Sequence, residues 1–194
     1  MSRTSEEADL LYKSESEPDT LDRCVIHLQE DNLMILPCDT IYGLSGKVDT
    51  TLQKLRALKE HIGQQQFAIL STLEQAHQLC IVPEVLQDHW PCALTCILPN
   101  RKGEGSSAVR VPDDPFIQEL LTRLGSPIYS TAVNPNEYFI TNITDIIFTY
   151  KEKVQAIVVD PKRQRNTPST LIDCTTTPYT LLRCGDYDAS SLLL

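Results

Sequence analysis

Residues 37–47 read PCDTIYGLSGK and bring together small polar side chains, an acid, a tyrosine and two glycines. An apolar run at 33–36 leads into them and reads as a short buried strand, which Pro37 ends because it has no N–H to donate. Gly43 and Gly46 suit a loop that turns tightly or lets backbone approach a ligand. A strand ending in polar residues and a Gly-bearing loop, with a helix beyond, is where open α/β sheets bind ligands. An ordinary strand–loop connection fits the same spacing. A second chemical signal is Arg110, which interrupts the apolar strand pattern of 108–111. An arginine between two valines needs a buried anion, unless it ends in a surface salt bridge.

The elements that would carry these residues follow from periodicity and punctuation. Residues 1–18 are rich in Ser and Glu and poor in apolar side chains, which reads as a disordered acidic tail. A helix from Thr20 to about Asp31, the strand at 33–36 and the glycine loop come next. Thr50 and Gln53 fit a capping box for a second helix ending at Gly63. Strand patterns cover 67–70, 91–98, 108–111, 128–130, 156–159, 170–172 and 179–182, and helical patterns cover 72–80, 83–90 and 143–153. The clearest helix is 115–124, with Asp114 as cap, Pro115 at its first position and Gly125 after its last. Strands and helices alternate irregularly and no repeat recurs, so one mixed-sheet α/β domain is expected.

Composition bounds the function. The 194 residues are 41% hydrophobic and 22% charged, ordinary for a globular domain. No run approaches the length a membrane helix needs. The acidic N-terminal stretch lacks an apolar core, so neither a secretory leader nor a transit peptide is expected, and the cytosol is the expected location. Net charge is −9; six of the 26 acids and two of the 17 bases precede residue 20, leaving −5 for the rest. A non-specific nucleic-acid binder is usually basic. RNA contact would therefore need a local patch, for which Lys162, Arg163, Gln164 and Arg165 are the candidate, with a solvated loop as the alternative. The seven cysteines form no C-x-x-C pair, so buried thiols are expected and a zinc site is not.

Six segments together resemble the YrdC-like domain family, the threonylcarbamoyl-AMP synthases and their YciO-type relatives. They are PCDTIYGLSG at 37–46, WPCALTCIL at 90–98, SSAVRVPDDPF at 106–116, STAVN at 130–134, PSTLID at 168–173 and LRCG at 182–185. The resemblance spans roughly residues 20–188, with the family domain set at 19–188 and a short tail after it. It implies a twisted single-domain mixed sheet with flanking helices and a large concave pocket. It also implies a reaction of L-threonine, bicarbonate or CO2 and ATP that yields threonylcarbamoyl-adenylate and pyrophosphate. Mg²⁺ would accompany the ATP, and the product would pass to a partner complex that modifies an adenosine of tRNA. No G-x-x-x-x-G-K-[ST] loop is present, so side chains and strand-end backbone would hold the triphosphate.

By the same resemblance, Thr40, Arg110, Ser130 and Ser169 bind the substrate, Arg110 pairing its carboxylate. Lys59, His61, Ser106, Asn134 and Arg183 lie on the nucleotide side. No residue is assigned a catalytic role beyond this binding pocket, and no metal ligand is assigned. Tyr42 and Trp90 are expected to pack.

The chain departs from the family where the second helix normally ends in K-x-R: Lys59 is present, but His61 stands for the arginine and Gln65 for a later Lys or Asn. Ala132 replaces a serine, Cys38 a threonine, and Leu70 falls near a strand histidine. These changes fall on the ATP side, where triphosphate charge must be met by cations. The alternative is thus a catalytically impaired YciO-type paralogue that binds nucleotide, double-stranded RNA or tRNA. A third reading makes Cys38 a nucleophile with His61 as base, against a buried or merely tolerated thiol.

Overall fold

A computed structural model describes residues 7–13, 17–59, 67–133, 142–162 and 167–193. Ten strands form one sheet: β1 (Asp9–Tyr12), β2 (Met34–Leu36), β3 (Gly43–Lys47), β4 (Ala68–Leu70), β5 (Leu94–Pro99), β6 (Ser106–Arg110), β7 (Ile128–Ala132), β8 (Ala156–Val159), β9 (Thr170–Asp173) and β10 (Thr180–Arg183). Their order is β1-β8-β2-β3-β7-β4-β6-β5-β9-β10, with parallel and antiparallel neighbours mixed. The helices are α1 (Thr20–Gln29), α2 (Leu52–Leu58), α3 (Leu73–Leu79), α4 (Glu84–Gln87), α5 (Pro115–Leu124) and α6 (Ile143–Tyr150). Among the described residues, no helix is long and apolar enough to cross a membrane.

Alternation along the strands divides the core. Ile35, Leu44 and Ile157 face α2 and α6, while Ile69, Cys96, Leu98, Val109 and Ile172 face α3 and α4. On the opposite side Met34, Leu36, Leu70, Ile128, Ala156 and Val158 pack under α1 and α5. The α5 ends are as the sequence indicates: Asp114 accepts from the N–H groups of Phe116 and Ile117, and Gly125 takes the left-handed conformation at φ 65°. Tyr42 and Trp90 are packed in the core.

Four sequence expectations are corrected. Residues 9–12, assigned to a disordered tail, form edge strand β1 parallel to β8, because Leu11 is fully buried and Ala8 bonds Lys151. Lys13 then reaches Asp114 at 3.0 Å, tying the strand to the start of α5. The glycine loop ends sooner than expected, since 43–47 is a strand pairing both β2 and β7. Gly43 serves close packing there, as a Cβ would strike the Ser130 hydroxyl. Thr50 does not cap α2; its hydroxyl donates to Asp31, and the reciprocal capping box forms instead between Thr72 and Gln75. Finally, Cys184 is exposed and Cys92 half-buried, whereas the other five thiols are buried. The proposed helix end at Gly63 lies outside the described residues.

If β1 is an integral strand, Leu11→Ala should cost about 2–5 kcal/mol, as for other fully buried leucines. Leu10→Ala, on the exposed side of the same strand, should cost less than about 1 kcal/mol. Urea unfolding of both variants checks this, and equal small losses would contradict it.

Candidate functional site

Strand register places most of the singled-out residues on one sheet face. Arg110 lies opposite Leu70 on β4 and Thr95 on β5, and Thr95 lies beside Leu171 on β9. Ser130 lies opposite Ala68 and Ser45 on the same face, and Arg183 opposite Leu171. Towards β1 this face is apolar and roofed by α1 and α5. Across β3, β7, β6 and β5 it changes to Ser45, Ser130, Ala132, Arg110 and Thr95.

Arg110 is the fixed point. Its side chain is 6% exposed, and Nη1 donates to Thr40 Oγ1 at 2.8 Å while Nη2 bonds the Asp39 carboxylate, also 6% exposed. The sequence expected a buried anion for this arginine, and the chain supplies it two residues after Pro37. Thus the ion-pair alternative is met, although it is buried and not at the surface. Asp39 also accepts from the Cys38 thiol at 2.9 Å and from the Asp113 N–H at 3.1 Å. Burial alone would raise the Asp39 carboxyl, but Arg110, Cys38 and Asp113 hold it below the ordinary 3.8. Burial opposes the Arg110 charge, and the neighbouring Cys38 and Asp39 outweigh it. Among the described residues Arg110 Nε is buried without a hydrogen-bond partner.

The Cys38 thiol is fully buried and pushed up to about 12, chiefly by that burial, so it is protonated at neutral pH. That opposes a nucleophile, which needs the thiolate. His61, its suggested base, lies outside the described residues.

A second group adjoins the first through Thr95. Thr95 Oγ1 and Ser169 Oγ are 2.8 Å apart, and Arg183 donates from Nε to the Ser169 carbonyl at 3.0 Å and from Nη2 to Ser169 Oγ at 3.3 Å. Desolvation and then the nearby Arg110 both lower the Arg183 pKa. Two guanidiniums within electrostatic reach, separated by hydroxyls, favour an anion between them. On the other flank buried Lys59 donates from Nζ to the Ala132 carbonyl at 2.5 Å, and burial lowers its pKa to about 8.

Ser106 shares the face but stands four residues from Arg110, about 13 Å along β6. Only an extended ligand could touch both. Asn134, His61, Gln65 and Arg163, Gln164 and Arg165 of the basic cluster lie outside the described residues. Lys162 is described, with its N–H bonded to Asp160. The residue that sequence reasoning missed is Asp39. Its place beside Thr40 in a polar strand end was visible, but nothing local to it pointed to Arg110, 71 positions away.

The Sua5/YciO/YrdC family model, whose description is "Telomere recombination", matches residues 27–185. A curated relative, the threonylcarbamoyl-AMP synthase of Photobacterium profundum, is 29% identical over 134 residues, 60% of this chain and 72% of its own. Escherichia coli YciO superposes with a TM-score of 0.83 at 20% identity over the whole of both chains. Pyrococcus abyssi Sua5 complexed with L-threonine gives 0.84 at 21% identity over 95% of this chain. The chain spans 59% of that Sua5 chain. These likenesses establish the mixed-sheet fold.

Removing one partner of a buried ion pair strands the other charge. Asp39→Asn should therefore cost about 3–5 kcal/mol at neutral pH. Because the folded Asp39 pKa is depressed below 3.8, its contribution is present above that value and is lost as pH falls through the folded pKa. The gap between wild type and variant in urea unfolding should close in strong acid. A gap independent of pH would contradict the assignment.

Proposed function

Because the chain belongs to the Sua5/YciO/YrdC family, we propose that it is a threonylcarbamoyl-AMP synthase-like enzyme whose ATP side is weakened. The observation that carries this reading is the buried Arg110 guanidinium beside the Thr40 hydroxyl, on a sheet face floored by Ser130, Thr95 and Ser169. A planar fork suits a carboxylate, and flanking hydroxyls suit a hydroxyamino acid such as L-threonine. In the proposed reaction bicarbonate or CO2 carboxylates the threonine amine. A carbamate oxygen then forms a bond to the α-phosphorus of ATP, and the α–β bridge breaks to release pyrophosphate.

In this reading Thr40, Arg110, Ser130 and Ser169 hold the amino acid. Lys59, Arg183, Ser106 and, from outside the described residues, His61 and Asn134 meet the nucleotide. Ser106, one strand length from Arg110, fits the far end of an extended nucleotide. Among the described residues no group of three or more His, Cys, Asp or Glu is arranged to hold a metal. Mg²⁺ would then arrive with the triphosphate, as it commonly does, and no step here runs through it. The adenylate would be handed to a tRNA-modifying partner.

A second reading, a YciO-type module that binds nucleotide or RNA without catalysis, is favoured by Lys59. Its ammonium donates to the Ala132 carbonyl and loses its proton near pH 8, while the arginine expected two residues on is a histidine.

Purified protein given ATP, L-threonine and bicarbonate should release pyrophosphate only when threonine is present. Arg110→Ala should lower kcat/KM on the order of 100-fold or more, the scale of a lost charge-assisted pair. Release equal in wild type and variant sinks the enzyme reading. Calorimetric titration with ATP and with threonine separately then tells whether a binding module remains.

A further expectation concerns pH. Phosphate binding favours charged Lys59, so its pKa rises in the complex. ATP affinity should fall as pH climbs through about 8, where the free lysine deprotonates. Lys59→Arg should remove that fall, and an unchanged profile would separate Lys59 from the nucleotide.

A further inference from the structure

We propose that Asp39 is a specificity-determining residue, an internal carboxylate that occupies Arg110 and that a ligand carboxylate must displace. The inference rests on the reading that Arg110 receives the substrate's carboxylate, and deepens it.

The two terminal nitrogens of Arg110 are engaged, Nη2 with Asp39 and Nη1 with Thr40. Its remaining edge offers no way in, because Nε is buried without a partner among the described residues. With the side chain only 6% exposed, a carboxylate has little access to the guanidinium while Asp39 stays in place. Asp39 is itself a well-held rival, since the Cys38 thiol, Arg110 and the Asp113 N–H all donate to it. Being tethered by the chain, it competes at an effective concentration on the order of millimolar or above.

The chemical consequence is a threshold. A simple carboxylate offers Arg110 nothing that Asp39 does not already provide, so it loses to the tethered rival. A ligand prevails only by adding contacts of its own, for which Thr40, Ser130 and Ser169 present hydroxyls on the same face. It also gains if its two oxygens satisfy the orphaned Nε–H together with Nη2, an arrangement Asp39 does not make. Asp39 and Thr40 are adjacent, so the segment that yields the arginine also bears a hydroxyl beside the incoming group. Asp39 acts through Arg110 and through this competition.

The test compares wild type, Asp39→Asn and Arg110→Ala by calorimetric titration with L-threonine. Asp39→Asn should bind at least on the order of tenfold more tightly than wild type, the gain when a state open in no more than about one molecule in ten becomes the resting one. Arg110→Ala should not bind. A purely structural role for Asp39 predicts the reverse sign, so equal or weaker binding by folded Asp39→Asn overturns the proposal while leaving threonine recognition intact. If threonine binds none of the three, the preceding functional reading fails instead. Sodium acetate then replaces it as the probe in thermal unfolding. It must stabilise Asp39→Asn more than wild type, and equal shifts overturn the proposal. Should Asp39→Asn not fold, crystals of wild type grown with and without the bound probe decide. The Asp39–Arg110 pair must be broken in the complex, and an intact pair beside a bound carboxylate overturns the proposal.

Discussion

Burying a guanidinium in the middle of a ten-stranded sheet costs several kcal/mol of lost hydration unless an anion meets it. Here the anion comes from a strand end far away in sequence, and much of the local architecture follows from bringing the two together. β6 carries Arg110 near the centre of the sheet, four strands from β2, whose end leads into Asp39. The segment after Pro37 must cross above β3, β7 and β4 to reach it. It can do so because β3 returns antiparallel beneath it and because Gly43 leaves space for the Ser130 hydroxyl. Asp39 then ties the start of α5 through the Asp113 N–H, and Lys13 ties β1 to Asp114 one residue on. The buried pair is thus connected to both the sheet edge and the helix that roofs the apolar half of this face.

The same constraint explains the division of that face. Where α1 and α5 cover it, the side chains are mostly leucine, isoleucine, methionine and valine, with Ala156 among them. Beside the arginine they become Ser, Thr and Ala, which could not hold a hydrophobic layer in place. A sheet face that gives up apolar burial forgoes roughly 25 cal/mol for each Å² it leaves out of the core. Such a loss is tolerated where the space is used. Three deep apolar clusters supply most of the burial, one of them reaching this region through Cys38 and Leu70.

Much of this was legible in the residues. Asp114, Pro115 and Gly125 delimit α5 by strictly local chemistry, so the sequence marks both of its ends. Arg110 announced a buried anion because its neighbours on β6 are apolar. What stayed hidden depends on contacts between distant segments. Asp39 could not be told from any other acid in a loop until the register of β6 set it against the arginine. β1 lies in an acidic stretch whose composition argues for disorder, and Leu11 becomes informative only when β8 is there to bury it. Thr50 and Gln53 have the spacing of a capping box, but Asp31 takes the Thr50 hydroxyl, and the box forms at Thr72 and Gln75. The coincidence of six ordered motifs carried the family, whereas no single motif revealed which partners its side chains would choose.

The two sides of the site differ in how burial acts on their charges. Around Arg110 the ion pair outweighs burial: Asp39 is held anionic and the guanidinium stays charged. Around Lys59 the opposite holds. Burial depresses its pKa to about 8, and one of its hydrogen bonds goes to the Ala132 carbonyl. At neutral pH that lysine is still mostly a cation, and it loses its charge as pH climbs through about 8. The charge of Arg110 is thus answered inside the folded chain by Asp39, whereas that of Lys59 is set chiefly by its burial.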